Sequence, residues 1–194
     1  MTHPQTERRT DFPYKSLFER DNYTIQQWSD VTDLEPLEKG EFDLILLDLI
    51  GVGLAESSDQ GFGVLKHIRA TSPAQIVIAY SNSDLSLAYQ PFFRDADAVL
   101  HKTQTDYVEF KRTVDALLDK RFSLGFYTAR IENELGEHAA TAPKTLPKAR
   151  RAILSGNAAP LRRYLLKKVD DEVTVDRIIA IVGVAADVAG IWKS

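Results

Sequence analysis

The sequence predicts an α/β fold in which helices cover both faces of a parallel sheet, followed by an all-helical extension. Three short apolar runs have the length and composition of buried strands: 42–48, 76–80 and 98–102. Helical patterns separate or follow these runs, at 61–70, 84–94 and 105–121. Strands that alternate with helices are typical of parallel sheets. The chain therefore divides into an α/β domain, 12–121, and a helical region, 122–194.

The N-terminal part of the chain is expected to add a fourth strand. Residues 1–11 are polar and are expected to be disordered, and 12–20 has the pattern of a short helix. Residues 23–28, Tyr-Thr-Ile-Gln-Gln-Trp, are predicted to form this strand. Asp33 can cap the short helix that follows, with Pro36 in its first turn.

Polar side chains end the three central runs. Asp48 closes the first run, Ser81 follows the second and Lys102 closes the third. Open α/β sheets hold their ligands at the carboxyl ends of the strands. The acid, the hydroxyl and the ammonium group are therefore expected to converge on one crevice.

This constellation resembles the receiver domain of bacterial two-component response regulators. Around it, 61–69 looks like the family's third helix, and Ala96-Asp97 stands where the family has an Ala-Asp pair before its fifth strand. The resemblance implies a flavodoxin-like, receiver-type sheet of four or five strands. It also implies that Asp48 accepts a phosphoryl group from a sensor histidine kinase. Ser81 and Lys102 would then bind the phosphoryl oxygens.

The chain departs from the receiver pattern where the metal would bind. Receivers open with an apolar strand that ends in two adjacent acids, whereas residues 1–11 hold only Glu7 and Asp11 and no apolar strand. By the resemblance, Mg²⁺ would be held by Asp48 and by the backbone carbonyl of Ile50. Mg²⁺ takes near-octahedral oxygen coordination, to which Asp48 adds a single carboxylate. This departure leaves open a pseudo-receiver, an interaction module that works without phosphorylation.

Three explanations fit the missing first strand. The natural start lies upstream of Met1, or the strand at 23–28 pairs directly with the Asp48 strand, or a partner chain fills the gap. A sheet without its middle strand would expose two edges, an arrangement prone to aggregation. The first two explanations are favoured.

Composition argues against several classes of protein. The chain has no cysteine, so neither disulfides nor thiolate metal sites are available. Its four histidines are scattered, and no nucleophile–base pair is apparent, which argues against an enzyme. The N-terminus has no apolar segment typical of a secretory signal, so a cytoplasmic location is expected.

The net charge of −4 is divided unevenly along the chain. Residues 1–119 carry 11 Lys and Arg against 20 Asp and Glu, a charge of −9, and residues 120–194 carry 13 against 8, a charge of +5. Between Glu137 and Asp170 there is no acid, and eight basic residues lie there: Lys144, Lys148, Arg150, Arg151, Arg162, Arg163, Lys167 and Lys168. Such a stretch binds nucleic acid phosphates, docks on an acidic partner or is simply solvated. The last two are favoured, since no helix-turn-helix spacing is evident.

The helical region ends in an apolar helix. The pattern predicts a linker at 139–147, two short helices at 148–155 and 158–169, and a final helix at 175–192 capped by Thr174. The final helix is apolar nearly all round, so burial in a bundle is expected, within the chain or across a homodimer. Its charges argue against a membrane span: Asp176, Arg177 and Asp187.

The leading functional prediction is a response-regulator-like signalling protein of a phosphorelay. Asp48 is the phosphoacceptor, and the helical region is the output or dimerisation element. The change is expected to be read through the face formed by 84–94 and 98–102. The first alternative is the pseudo-receiver, and the second is a nucleic-acid-binding regulator that acts through the basic tail.

Overall fold

The computed structural model describes residues 12–82 and 94–191. Its strands are β1, Leu44–Asp48; β2, Ile76–Ser81; and β3, Ala98–His101. Around the sheet lie the helices α1, Lys15–Arg20; α2, Glu35–Glu38; α3, Gly61–Thr71; and α4, Tyr107–Arg121. The C-terminal helices are α5, Leu124–Leu135; α6, Thr145–Ser155; α7, Ala159–Leu165; and α8, Glu172–Ile191. The disorder predicted for 1–11 and the helix predicted at 84–94 lie outside the described residues, Arg94 excepted.

The strands form one parallel sheet with β2 between β1 and β3. Leu44 pairs with Ile76 at one end of β1, and Asp48 pairs with Tyr80 at the other. Every residue of β2 is buried, which explains its unbroken apolar run. The prediction of a parallel α/β sheet is confirmed. Among the described residues it has three strands, not the four or five expected.

The prediction of a strand at 23–28 is wrong, because these residues pair with no strand of the sheet. Their apolar side chains serve two different cores. Tyr23 and Ile25 pack on the side of the sheet that carries α4. Trp28 packs on the α3 side, where its ring lies 5.6 Å from the ring of Phe42. The apolar residues of this segment thus belong to a connection that passes from one face of the sheet to the other.

Helices α3 and α4 cover opposite faces of the sheet. On one face, Phe62, Leu65 and Ile68 of α3 pack with Val77 and Ala79 of β2. On the other face, α4 and α1 pack against the alternate residues of β2: Phe110, Val114 and Leu117 of α4, and Phe18 of α1, with Ile76, Ile78 and Tyr80. Helix α4 begins at Tyr107 because the side chain of Asp106 accepts a hydrogen bond from the backbone N of Glu109 at 2.8 Å.

The helical region forms a core of its own, in which α8 is the central element. Helix α8 has three fully buried side chains, Val175, Ile178 and Ile181. They pack with residues of α5, α6 and α7. The predicted burial of the final helix is confirmed within the chain. Among the described residues, no helix has the length and apolarity needed to cross a membrane.

Several boundaries in this region differ from the predictions. The linker predicted at 139–147 is wrong in part, because a 3₁₀ turn covers Gly136–Ala139 and α6 already begins at Thr145. Helix α8 begins at Glu172 and not after Thr174. Asp171 explains this start, since its carboxylate accepts hydrogen bonds from the backbone N of Val173 and from the hydroxyl of Thr174. These bonds lower the pKa of Asp171, the Thr174 hydroxyl contributing most.

The two regions meet at the amino ends of the strands. Arg130 of α5 reaches Asp97, the residue before β3, with a guanidinium nitrogen 2.6 Å from Oδ1. Arg69 of α3 contacts the other carboxylate oxygen of Asp97 at 2.8 Å. Arg130 also donates to the carbonyl of Pro73, at 2.8 Å. All three charged side chains are at most 16% exposed. Burial lowers the pKa of Arg130, and Asp97 opposes that shift.

Candidate functional site

Asp48 and Lys102 form an ion pair at the carboxyl end of the sheet. The ammonium Nζ of Lys102 donates to Oδ2 of Asp48, and the two side chains are 24% and 18% exposed. The register brings them together, because Asp48 ends β1 while Lys102 follows β3, two strands away. The convergence predicted for these two residues is therefore present in the structure. The ammonium group of Lys102 is therefore in direct contact with the Asp48 carboxylate.

Tyr80 and Ser81 lie on β2, the strand between the one that Asp48 ends and the one that Lys102 follows. Ser81 is buried at the end of β2, and its carbonyl accepts a hydrogen bond from the backbone N of Lys102 at 3.0 Å. The Lys102 ammonium lies 5.3 Å from the centre of the Tyr80 ring, within the range of a cation–π interaction. Burial raises the pKa of Tyr80, with further contributions from Tyr14 and Asp48. Tyr80 therefore stays neutral and forms one wall of the site.

The loop after Asp48 is held by side chains that the sequence analysis did not identify. The backbone N of Ile50 donates to Oδ1 of Asp48 at 3.1 Å. Further along, the backbone N of Gly53 donates to Oδ1 of Asp30 at 2.6 Å, and the backbone N of Gly51 donates to the side chain of Gln60. The carboxylate of Asp30 thus reaches this loop from a segment far away in sequence. In the sequence, the sign of a tightly turned loop is the presence of Gly51 and Gly53, which both have positive φ in the structure.

Helix α3 starts in direct contact with the backbone that carries Asp48. A Cβ atom on Gly61 would lie 2.2 Å from the carbonyl O of Asp48 and 2.8 Å from the Cα of Leu49. Both distances are shorter than van der Waals contact. Only glycine at this position lets α3 begin so close to the end of β1, so Gly61 helps to position Asp48.

The donors at this end of the sheet do not fit a Mg²⁺ site as they stand. Both oxygens of Asp48 accept hydrogen bonds, one from Lys102 and one from the backbone N of Ile50. Within 12–82 and 94–191, no group of three or more His, Asp or Glu side chains is arranged to hold a metal ion. Mg²⁺ prefers oxygen ligands in near-octahedral geometry. Binding of Mg²⁺ by Asp48 and the Ile50 carbonyl stays a prediction that these donors alone do not satisfy.

Comparison with known proteins does not assign a family. No protein-family model matches the chain, and no curated protein matches it. The receiver resemblance therefore rests on the residues themselves: a carboxylate and an ammonium in contact, beside a buried hydroxyl, at the carboxyl end of parallel strands. Chemically, such a carboxylate is a nucleophile with a cation in place to neutralise a bound anion.

Proposed function

We propose that this chain is a response-regulator-like signalling protein in which Asp48 accepts a phosphoryl group. The observation that carries the proposal is the ion pair between Asp48 and Lys102 at the carboxyl end of a parallel sheet. In this proposal the chain is not an enzyme in its own right. It works in the cytoplasm, a sensor histidine kinase supplies the phosphoryl group, and the helical region carries the output.

The transfer step makes specific demands on this pair. An oxygen of the Asp48 carboxylate attacks phosphorus, a new P–O bond forms, and the P–N bond of the donor phosphohistidine breaks. The electron pair of that bond stays on the histidine. Lys102 then exchanges the carboxylate for a phosphoryl oxygen and neutralises part of its charge. In this proposal the hydroxyl of Ser81 binds a second phosphoryl oxygen.

A pseudo-receiver is the second candidate, and one observation favours it. Both oxygens of Asp48 already accept hydrogen bonds, one from Lys102 and one from the backbone N of Ile50. In that case the Asp48–Lys102 pair is structural. The chain then acts as an interaction module whose binding to its partner does not depend on phosphorylation.

Intact mass after incubation with a small acyl phosphate and Mg²⁺ tests the proposal. The matched control pair is Asp48→Asn and Asp43→Asn, since Asp43 lies just before the other end of β1 with its side chain 84% exposed. The proposal expects one added phosphoryl group on the wild type and on Asp43→Asn, and none on Asp48→Asn. A folded wild type that gains no phosphoryl group would favour the pseudo-receiver.

A further inference from the structure

The basic stretch of the tail is built on two packed helices joined by a short turn. Helix α6 ends at Ser155 and α7 begins at Ala159, and Gly156 adopts a left-handed conformation with φ +67° between them. The Asn157 side chain accepts a hydrogen bond from the backbone N of Ala159 at 3.1 Å, which fixes the start of α7. The sequence predicted two short helices here, at 148–155 and 158–169, and the structure has them at Thr145–Ser155 and Ala159–Leu165. This arrangement places both basic segments on one supersecondary unit.

The positive charge of this unit is largely unneutralised. Six of its eight basic side chains belong to exposed residues: Lys144, Arg150, Arg151, Arg163, Lys167 and Lys168. Arg162 pairs with Asp176 of α8. In the part of the chain that the structure describes, no carboxylate forms an ion pair with the other seven. Exposed cations that the protein does not neutralise itself are free to meet an external polyanion.

Tyr164 brings lysines from both segments together. Its hydroxyl accepts a hydrogen bond from the backbone N of Lys144 at 3.1 Å, and the ammonium of Lys148 lies 5.2 Å from its ring centre. The backbone N of Lys167 donates to the carbonyl of Tyr164 at 3.2 Å. The ammonium of Lys148 thus lies near the Tyr164 ring, and the backbone of Lys144 and of Lys167, which flank α6 and α7, contacts the same residue. We call the surface formed by the eight basic residues and Tyr164 the α6–α7 basic surface.

We propose that the α6–α7 basic surface binds nucleic acid through the phosphate backbone. Duplex nucleic acid presents a regular row of phosphates, and release of condensed counterions by several cations drives such binding. A membrane surface fits less well, because a helix that lies in the interface must bury an apolar face in lipid. The apolar face of α6 is already used, since Ala149, Ala152 and Ile153 are buried in the helical core.

The contacts would be with phosphates and not with base edges. Helix α7 has only seven residues, and of its two arginines Arg162 is paired with Asp176, which leaves Arg163 as the arginine of α7 that has no ion pair among the described residues. A single side chain offers little direct readout of sequence. The binding is therefore expected to tolerate any duplex sequence. This inference is independent of whether Asp48 is phosphorylated.

Fluorescence anisotropy of a labelled DNA duplex, titrated with the full chain, tests the proposal. The duplex has about 20 base pairs, or about two helical turns. One variant carries Arg150→Gln, Arg151→Gln, Arg163→Gln and Lys167→Gln. The matched control removes four exposed cations of the α/β domain by Arg20→Gln, Lys66→Gln, Arg112→Gln and Lys120→Gln. The two variants have the same net charge, so they separate a local surface from the field of the whole protein. Circular dichroism confirms that each is folded.

The proposal expects affinity to fall steeply with salt, with a slope of log K against log salt of about −4 for four to five phosphates. The surface variant should lose roughly 100-fold in affinity at low salt and most of that slope, whereas the control should lose less than about 3-fold. A second duplex of scrambled sequence should bind equally well. Equal losses in both variants, or no binding by the wild type at 50 mM salt, would overturn the proposal. So would binding to phosphatidylserine vesicles in the absence of duplex binding.

Discussion

The carboxylate of Asp48 is positioned by groups from separate parts of the chain. Lys102 binds one of its oxygens from the end of β3, and the backbone N of Ile50 binds the other from the following loop. Gly61 sets the distance at which α3 begins behind it. Each group acts over a few ångströms, so the geometry of the site depends on single residues more than on the sheet as a whole.

We expect Gly61→Ala to lower the free energy of unfolding strongly, although it adds only one methyl group. The added Cβ would lie 2.2 Å from the carbonyl O of Asp48, so either α3 or the end of β1 must move. Overpacking of this kind costs about 1–3 kcal/mol. The free energy of unfolding from urea titration measures this loss. Under the proposed function, the same variant should also accept a phosphoryl group more slowly.

Gly125→Ala provides the matched control for this substitution. Gly125 lies in the first turn of α5 and is exposed, and the nearest atom to its added Cβ is 3.8 Å away. Alanine favours helix over glycine by up to about 1 kcal/mol. The control should therefore be neutral or stabilising. Similar losses of stability in the two variants would show that the close approach at Gly61 is not the cause.

At the scale of elements, the helical region is joined to the sheet by a buried charge cluster. Asp97 lies between the guanidinium groups of Arg69 and Arg130, so one carboxylate links α3, the start of β3 and α5. The backbone N of Val77 also donates to Asp97, which adds β2 to the cluster. Two arginines against a single acid leave a partly buried positive charge. The carbonyl groups of Pro73 and Gln75, which accept from Arg130 and Arg69, reduce its cost.

We expect Arg130→Met to lower the free energy of unfolding by about 3 kcal/mol, because removal of one partner of a buried ion pair leaves unmet polar groups behind. Arg162→Met is the control. This substitution breaks the ion pair of Arg162 with Asp176, in which the two side chains are 41% and 56% exposed. It should lower the free energy of unfolding by less than about 1 kcal/mol. Chemical denaturation measures both variants. If Arg130→Met proved as mild as the control, the cluster would not be what holds α5 to the sheet.

The elements that the sequence predicted well are those with one dominant cause. The run 76–80 is β2 because both of its faces are buried, and the helix predicted at 61–70 is α3, Gly61–Thr71. The contact of Asp48 with Lys102 followed from the geometry of parallel strands, which brings their carboxyl ends together.

The remaining features depend on contacts distant in sequence. The segment 23–28 was predicted to be a strand, although its apolar side chains pack in two different cores. The pair of Arg130 with Asp97 joins residues 33 positions apart, and Asp30 reaches Gly53 across 23 positions. No local pattern encodes such partners. They become visible only once the packing of the elements is known.

At the scale of the molecule, the question is whether the α/β domain and the helical region unfold together. Each has its own hydrophobic core, and Ala74 of the loop before β2 is buried among the helices. With the Asp97 cluster, this contact makes the amino ends of the strands part of both regions. The two regions thus share a boundary that combines the Asp97 ion pairs with apolar contacts of Ala74 and Phe126.

We expect the wild type to unfold in a single calorimetric transition, because separating the regions breaks the ion pair of Asp97 with Arg130 and exposes the apolar contacts of Ala74. Arg130→Met should uncouple them, so that two transitions appear while each core stays intact. Differential scanning calorimetry distinguishes the cases, and hydrogen exchange assigns each transition to β2 or to α8. Two transitions already present in the wild type would mean that the helical region unfolds as an independent domain and that the Asp97 cluster does not couple it to the sheet.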